Sequence, residues 1–381
     1  MTMTNEILIL ASDTLKAHDS WTIFTHKKAD GDAVGSATAL IQAGMNLNKR
    51  VKWYSPDEKL PETYKFLSCF DVHEYAEEFA FSDSHELYIF LDCSNESRSV
   101  KGYDAHKEIN AQGINHQTGI SSLKVNHHED NSHYGSINCE DGKVTDYDSH
   151  MGINALNIDH HEDNSHYCGI NCVDEKASST CEVLYRIFSA GSWNITKSIA
   201  ESLYTGIFTD TGSFTFSNTS PLTHRILAEL IEHGVQPSHM ADMISQNKSV
   251  PGFKVWADAL SRVKTFGPEN IFAISFLSAE DFREAGADLT ENEGLPSMLM
   301  TLRGVKFIAM LTENLKGEIR ASFRSREGSP FCAGEFARLL GGGGHERASG
   351  SFVEFGTLNE CVNEIESLML KKYHECVNPD K

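Results

Sequence analysis

No run of this 381-residue chain reaches the ~18 consecutive apolar residues that a membrane-spanning helix needs, so no membrane partner is expected. Cysteine pairs at CxxC spacing are absent as well. The nine cysteines are an odd number, and the nearest two, Cys168 and Cys172, are too isolated for a zinc knuckle. Reduced thiols fit better than a disulfide framework. The opening stretch MTMTNEILIL lacks the basic flank and cleavage site of a secretory signal, so a cytoplasmic location is expected. Positive charge is scarce: 33 Lys and Arg stand against 54 Asp and Glu, a formal charge of −21. A chain so acidic repels long nucleic acid. An anionic substrate would have to be small and held by local charges, with metal ions the first candidates.

What is present is ordinary for a globular protein: 40% apolar and 23% charged residues, in a chain long enough for two cores. Apolar runs at 21–26, 49–55, 86–92 and 155–159 read as strands, and segments 33–45, 179–190 and 195–212 have helical spacing. Alternation of this kind predicts an α/β fold with a doubly wound parallel sheet over residues 1–215. A helical linker is expected over 216–251. Strands at 271–278, 305–311, 318–326 and 348–355, with helices at 331–340 and 357–375, predict a smaller α+β domain over 252–381. Within the first of these domains, residues 97–150 are polar and too long for an ordinary connection, which suggests an insertion.

That insertion contains a near-copy of a later stretch. NHHEDNSHYGSINC (126–139) and DHHEDNSHYCGINC (159–172) agree at 11 of 14 positions. The second follows the short strand ALNI and leads into VDEKASSTCEVLYRIF, which has helical spacing; the first leads into EDGKVTDYDS, which has none. The second also opens on Asp159, where the first has Asn126, and an amide cannot supply negative charge. The second copy is therefore favoured as the working one, with His127 and His128 as the minority alternative. A duplication that left one degenerate copy accounts for both.

Four predicted element ends carry Asp or His: His26, Asp30 and Asp32 in HKKADGDAVGS, Asp92 after ELYIFL, Asp159–His160–His161 after ALNI, and Asp210 in TGIFTDTGSF. Each segment alone fits a helix cap or a polar turn. Together they offer four carboxylates and two imidazoles as ligands, a set suited to two divalent cations about 3.5–4 Å apart. Oxygen-rich ligands with some imidazole favour Mn²⁺ over a thiolate-bound zinc.

In the second domain, GGGGH (341–345) follows a predicted helix, and glycines there would let backbone N–H groups turn inward as an anion-binding nest. Arg320, Arg324 and Arg326 fall at even spacing, so one strand face could clamp phosphate.

These segments, with LDCSNESR, FRSR and GGGGHERASG, resemble the ordered motifs of the DHH phosphoesterase superfamily and its DHH-associated C-terminal domain. The nanoRNase group, which hydrolyses short oligoribonucleotides and dephosphorylates 3′-phosphoadenosine-5′-phosphate, is the most similar. The resemblance implies two Mn²⁺ ions that activate water. His26 and Asp30 would hold one, Asp32, His160 and Asp210 the other, with Asp92 bridging. His161 would lie beside the scissile phosphate, and Asp159 would orient a neighbouring ligand. Arg324, Ser325, Arg326, Gly342, Gly343, Gly344 and His345 would hold the nucleotide away from the scissile bond. The implied partners are short RNA oligonucleotides and nucleoside bisphosphates, and a homodimer is left open. Asp159 lies 67 residues beyond Asp92, a longer link than the family has, whereas Asn126 lies 34 beyond it. The rival activities are a phosphodiesterase for linear or cyclic dinucleotides and a non-catalytic nucleotide- or metal-binding protein.

Overall fold

The computed structural model describes residues 4–82, 86–103, 154–245, 249–326, 328–344 and 346–377. It divides into two compact units, Met1–Asn247 and Lys248–Lys381.

In the first unit, β1 (Ser20–Thr25), β2 (Arg50–Ser55), β3 (His73–Tyr75), β4 (Glu86–Leu91), β5 (Ala155–Asp159) and β6 (Ile170–Val173) form one sheet. Their order is β3-β2-β1-β4-β5-β6 and every pair is parallel. The near-continuous apolar runs have a simple cause: both faces are buried. Trp21, Ile23, Ile89 and Ile158 face a core shared with α1 (Asn5–Ala17), α2 (Gly31–Asn46), α3 (Thr180–Ala190) and α4 (Lys197–Asp210). Phe24, Tyr88 and Phe90 face the other way and pack with Phe79, Phe81, Tyr103 and Tyr167, for example with ring centroids of Phe90 and Tyr103 5.0 Å apart. β3, β6 and α1 were not anticipated. Two of these, β3 and β6, are only three and four residues long, too short for a periodic signal.

Two boundaries differ from expectation. Residues 97–103 belong to the fold, since Val100 and Tyr103 are buried and Phe79 donates a backbone hydrogen bond to Lys101. The remainder of the expected insertion, including the first repeat copy with Asn126, His127 and His128, lies outside the described residues. The expected linker is also not a separate piece. Helices α5 (Pro221–Glu232) and α6 (Pro237–Ser245) bury Leu230 and Met240 in the first core, and a Ser220–Thr223 capping box starts α5.

The second unit is a mixed sheet in the order β11-β12-β10-β9-β8-β7. It comprises β7 (Lys264–Phe266), β8 (Phe272–Leu277), β9 (Phe307–Glu313), β10 (Ile319–Ser325), β11 (Gly343–Gly344) and β12 (Ala348–Val353), and β8–β9 pair parallel. Helices α7 (Val250–Ser261), α8 (Ala279–Ala285) and α9 (Leu295–Leu299) cover one face. Helices α10 (Ala333–Leu339) and α11 (Leu358–Val377) cover the other. This is an α+β arrangement. No helix among the described residues is long and apolar enough to cross a membrane.

Candidate metal centre

The order of the first sheet reverses between β1 and β4, where an open parallel sheet leaves a crevice at the carboxyl ends of its strands. His26 directly follows β1. Asp30 caps α2, its Oδ1 accepting from the Asp32 and Ala33 backbone N–H groups at 3.0 and 3.2 Å, and Asp32 lies in the first turn of that helix. Asp92 follows β4 with a left-handed backbone, φ 58°, a conformation that is costly for a non-glycine residue and concentrates at functional sites. Asp159 ends β5 and His160 and His161 follow it; Asp210 ends α4.

Bringing Asp32 and Asp210 together requires α2 and α4 to pack closely. Gly35 and Gly206 permit it: a Cβ on Gly35 would lie 2.6 Å from the Ser202 carbonyl oxygen, and one on Gly206 2.5 Å from Asp32 Oδ1.

The expected ligands assemble into two groups, His26–Asp30–Asp92 and Asp32–His160–Asp210. In the first, His26 Nε2 lies 3.2 Å from Asp92 Oδ2 and 3.9 Å from Asp30 Oδ1. In the second, His160 Nε2 lies 3.8 Å from Asp32 Oδ2, 3.5 Å from Asp210 Oδ2 and 3.6 Å from Asp92 Oδ1. Asp92 thus turns one oxygen toward each group.

These residues fit divalent cations. Bonds of about 2.1 Å at tetrahedral or octahedral angles place neighbouring ligand atoms roughly 3.0–3.4 Å apart, close to the spacings found. The tautomer of His26 agrees. Its Nδ1 lies 2.9 Å from the Lys27 carbonyl, which can only accept, so Nδ1 carries the hydrogen and Nε2 faces two carboxylates. Such a nitrogen needs either a proton or a cation between it and them. Electrostatics point the same way. Burial and the neighbouring Asp92 charge push the Asp32 carboxyl well above the usual carboxylate range, and burial with Asp30 and Asp92 does the same to Asp210. Burial acts against charge on Asp92 too, but hydrogen bonding from His26 and the charges of His161, His26 and His160 together outweigh it and hold that carboxyl down. Like charges confined this closely are relieved by positive ions.

Asp159 lies beside both groups, clustered with Asp92, His160 and His161. Its Oδ1 accepts from the His160 backbone at 2.8 Å and from His161 Nδ1 at 2.7 Å, and its Oδ2 accepts from Asn164 Nδ2 at 2.5 Å. The carboxylate therefore sets the His161 tautomer with Nδ1 protonated. Burial works against the imidazolium, yet the Asp159 hydrogen bond and the Asp92 charge raise it to about 9.

Several residues of this site carried no sequence signal. Asn164 also donates to Asn157 Oδ1 at 2.8 Å, which anchors the segment after His161. Thr180 donates from its backbone to Asp32 Oδ2 at 2.6 Å and from its hydroxyl to Asp92 Oδ1 at 3.1 Å. Asn218 donates to the Asp210 and Ser178 carbonyls at 3.1 and 2.9 Å. Thr180, and Asn218 through Ser178, act across long sequence separations, which no local pattern records.

In the second unit the expected nucleotide face is narrower than the sequence suggested. β10 buries Ile319, Ala321, Phe323 and Ser325 on one side and turns Arg320 and Arg324 to the other. Arg326 lies just beyond the strand, so the evenly spaced row ends at Arg324. Ser325 is a correction: adjacent strand residues face opposite sides. Its hydroxyl accepts from Ala333 N at 3.1 Å and donates to the Glu346 carbonyl at 3.3 Å, inside the unit. The glycine run is a second correction. Gly341 and Gly342 donate their N–H groups to the Arg338 and Ala337 carbonyls, as a C-cap of α10 requires, and Gly343 and Gly344 form β11. Their backbone is not an open nest; His345 lies outside the described residues. What remains is a pair of guanidiniums. Arg324 Nε is buried with no partner among the described residues, and burial with the nearby Arg320 charge lowers Arg324 to about 10.

Residues 20–207 match the DHH family, N-terminal domain. The bifunctional oligoribonuclease and PAP phosphatase NrnA of Thermus thermophilus is 25% identical over 361 residues, 94% of this chain and 92% of that protein. The NrnA protein of Bacillus subtilis with the same description is 29% identical over 373 residues, 95% of this chain and 98% of that one. An exopolyphosphatase-related protein from Bacteroides fragilis has a similar fold, with TM-score 0.75 and 22% identity over 97% of both chains. The family match takes in every member of the acidic and histidine cluster except Asp210, and the chain belongs to the DHH family.

Proposed function

We propose that this hydrolase of phosphoester bonds cleaves short oligoribonucleotides to mononucleotides and 3′-phosphoadenosine-5′-phosphate to AMP, in the cytoplasm, with two Mn²⁺ ions as cofactor. One observation carries the reading: a single carboxylate, Asp92, offers its two oxygens to two separate ligand groups. The names of the relatives supply the substrate class, since both are described as oligoribonuclease and PAP phosphatase.

Divalent ions bound there would polarise phosphoryl oxygens and make a water molecule acidic enough to serve as nucleophile near neutral pH. His26, Asp30, Asp32, Asp92, His160 and Asp210 would hold them. His161, kept protonated by Asp159, would donate from Nε2 to a non-bridging oxygen as charge builds there. Arg324 and Arg320 would take a phosphate of the substrate, because a half-buried guanidinium beside an exposed one, with no ion pair to a carboxylate among the described residues, is best satisfied by an anion.

The test is Mn²⁺-dependent turnover of RNAs two to five nucleotides long beside 3′-phosphoadenosine-5′-phosphate, for the wild type and Asp92→Ala. Turnover of both substrate types by the wild type, abolished in a folded Asp92→Ala variant, is expected. Near-normal activity of that variant, or a wild type that turns over neither substrate, would refute the proposal.

A further inference from the structure

We infer that Thr180 is a positioning residue for the cations, its hydroxyl setting the plane of the Asp92 carboxylate so that one oxygen points to each ligand group. The inference rests on the two-cation reading above.

A carboxylate rotates easily about its last side-chain torsion, which is broad and only weakly stepped. A bridging role requires that torsion to be held. Among the described residues, Thr180 is the one hydroxyl that donates to Asp92, reaching Oδ1 at 3.1 Å. His26, His160 and His161 also approach Asp92, at 3.2, 3.6 and 3.5 Å, but two of these rings are themselves candidate ligands. The third, His161, is committed through Nδ1 to Asp159 Oδ1 at 2.7 Å, so the hydroxyl is the partner that neither competes for the ions nor serves another carboxylate. The same residue steadies the second group from behind: Thr180 N and Cys181 N donate to Asp32 Oδ2 and Oδ1 at 2.6 and 3.0 Å. Thr180 therefore touches Asp32 through its backbone and Asp92 through its side chain.

The chain holds Thr180 firmly. It is fully buried, and a β-branched side chain has few rotamers to visit. Ser179 caps α3 by accepting from Glu182 N at 3.0 Å. Ser178 and Thr223 both donate to the buried Glu182 Oε2, at 2.6 and 2.8 Å. Asn218 ties the Ser178 carbonyl to that of Asp210. Earlier in the segment, Arg186 pairs with Asp174 at 2.6 Å. The stretch ASST of 177–180 is thus fixed from several sides, which is what a fixed donor needs.

The test compares Thr180→Val, which keeps shape and removes the hydroxyl, with Thr180→Ser, which keeps the hydroxyl. Mn²⁺ binding is measured by calorimetry, and the coupling between bound ions by electron paramagnetic resonance. The wild type should bind two ions with an exchange-coupled spectrum. Thr180→Val should weaken the second ion roughly tenfold to a hundredfold, the usual effect of removing a group that orients a ligand, and show isolated Mn²⁺. Thr180→Ser should restore the coupled spectrum. If Thr180→Val does not fold, Thr180→Ala against Thr180→Ser makes the same comparison at reduced size. A valine or alanine variant that binds two coupled ions like the wild type, or a serine variant as weak as these, overturns the role of Thr180. A wild type that binds fewer than two ions fails the two-cation reading instead.

Discussion

Asp159→Asn gives the second copy of the repeat the residue that heads the first. The carboxylate is fully buried and accepts three hydrogen bonds, from His160 N, His161 Nδ1 and Asn164 Nδ2. An amide has one accepting oxygen, and its Nδ2 must face a donor. Facing Asn164, it meets an N–H group that cannot turn away, because Asn164 also donates to Asn157 and accepts from His166 N. Facing His161, it forces the ring to give up its Nδ1 proton. Either way the imidazolium loses the charge that sustains it. Losing a hydrogen bond to a charged group costs about 1.5–3 kcal/mol of stability, so the variant should fold. Losing a positioned proton donor lowers turnover by about 10²–10⁴-fold, roughly 2.7–5.4 kcal/mol of barrier at 1.36 kcal/mol per factor of ten. None of the six candidate ligands is altered, so Mn²⁺ content should stay at the wild-type value. The assay is kcat for a ribodinucleotide at saturating Mn²⁺, with metal content measured on the same sample. A variant with wild-type metal content and turnover within about threefold of the wild type would refute the role given to His161.

Three further outcomes are expected. His160→Ala should abolish hydrolysis, whereas His127→Ala in the first copy should leave it near wild type; the reverse pattern in paired assays would move the site to the first copy. Arg324→Met should raise KM for a ribodinucleotide roughly tenfold to a hundredfold, as for a lost charge-assisted contact, with turnover of a small model diester unchanged; equal losses on both would place Arg324 outside substrate binding. In the second unit, Arg262 grips Asp281 with contacts of 2.5 and 2.7 Å and holds its carboxyl down at about 2, below the ~3.9 expected of the unfolded chain. A lowered carboxylate stabilises above the unfolded value and loses that contribution as pH falls through the folded one. Asp281→Asn should therefore lower stability by about 1–3 kcal/mol near pH 7, and the gap in denaturant midpoint should close as pH falls from 5 to 2; a gap independent of pH would show that the pair contributes through shape alone.

The sequence by itself determined β1, β2, β4 and β5 of the parallel sheet. β1, β4 and β5 are buried on both faces, so their apolar runs are nearly continuous and each ends at a polar residue on the sheet edge. It also set the candidate ligands at element ends, because the family motifs lie in those short segments. Only the tertiary structure decided the rest. The crevice exists because strand order reverses between β1 and β4, and strand order is not written in any local stretch. Asp32 and Asp210 meet because two glycines let α2 and α4 close up. Thr180, Asn164 and Asn218 act through hydrogen bonds to distant or differently folded segments. The departures have similar causes. Ser325 faces the wrong way for a partner of Arg324, since alternation along β10 gives consecutive residues opposite faces. The glycine run closes a helix and pairs as an edge strand, because once α10 ends there its free carbonyls take the Gly341 and Gly342 N–H groups and Gly343 and Gly344 pair with β12.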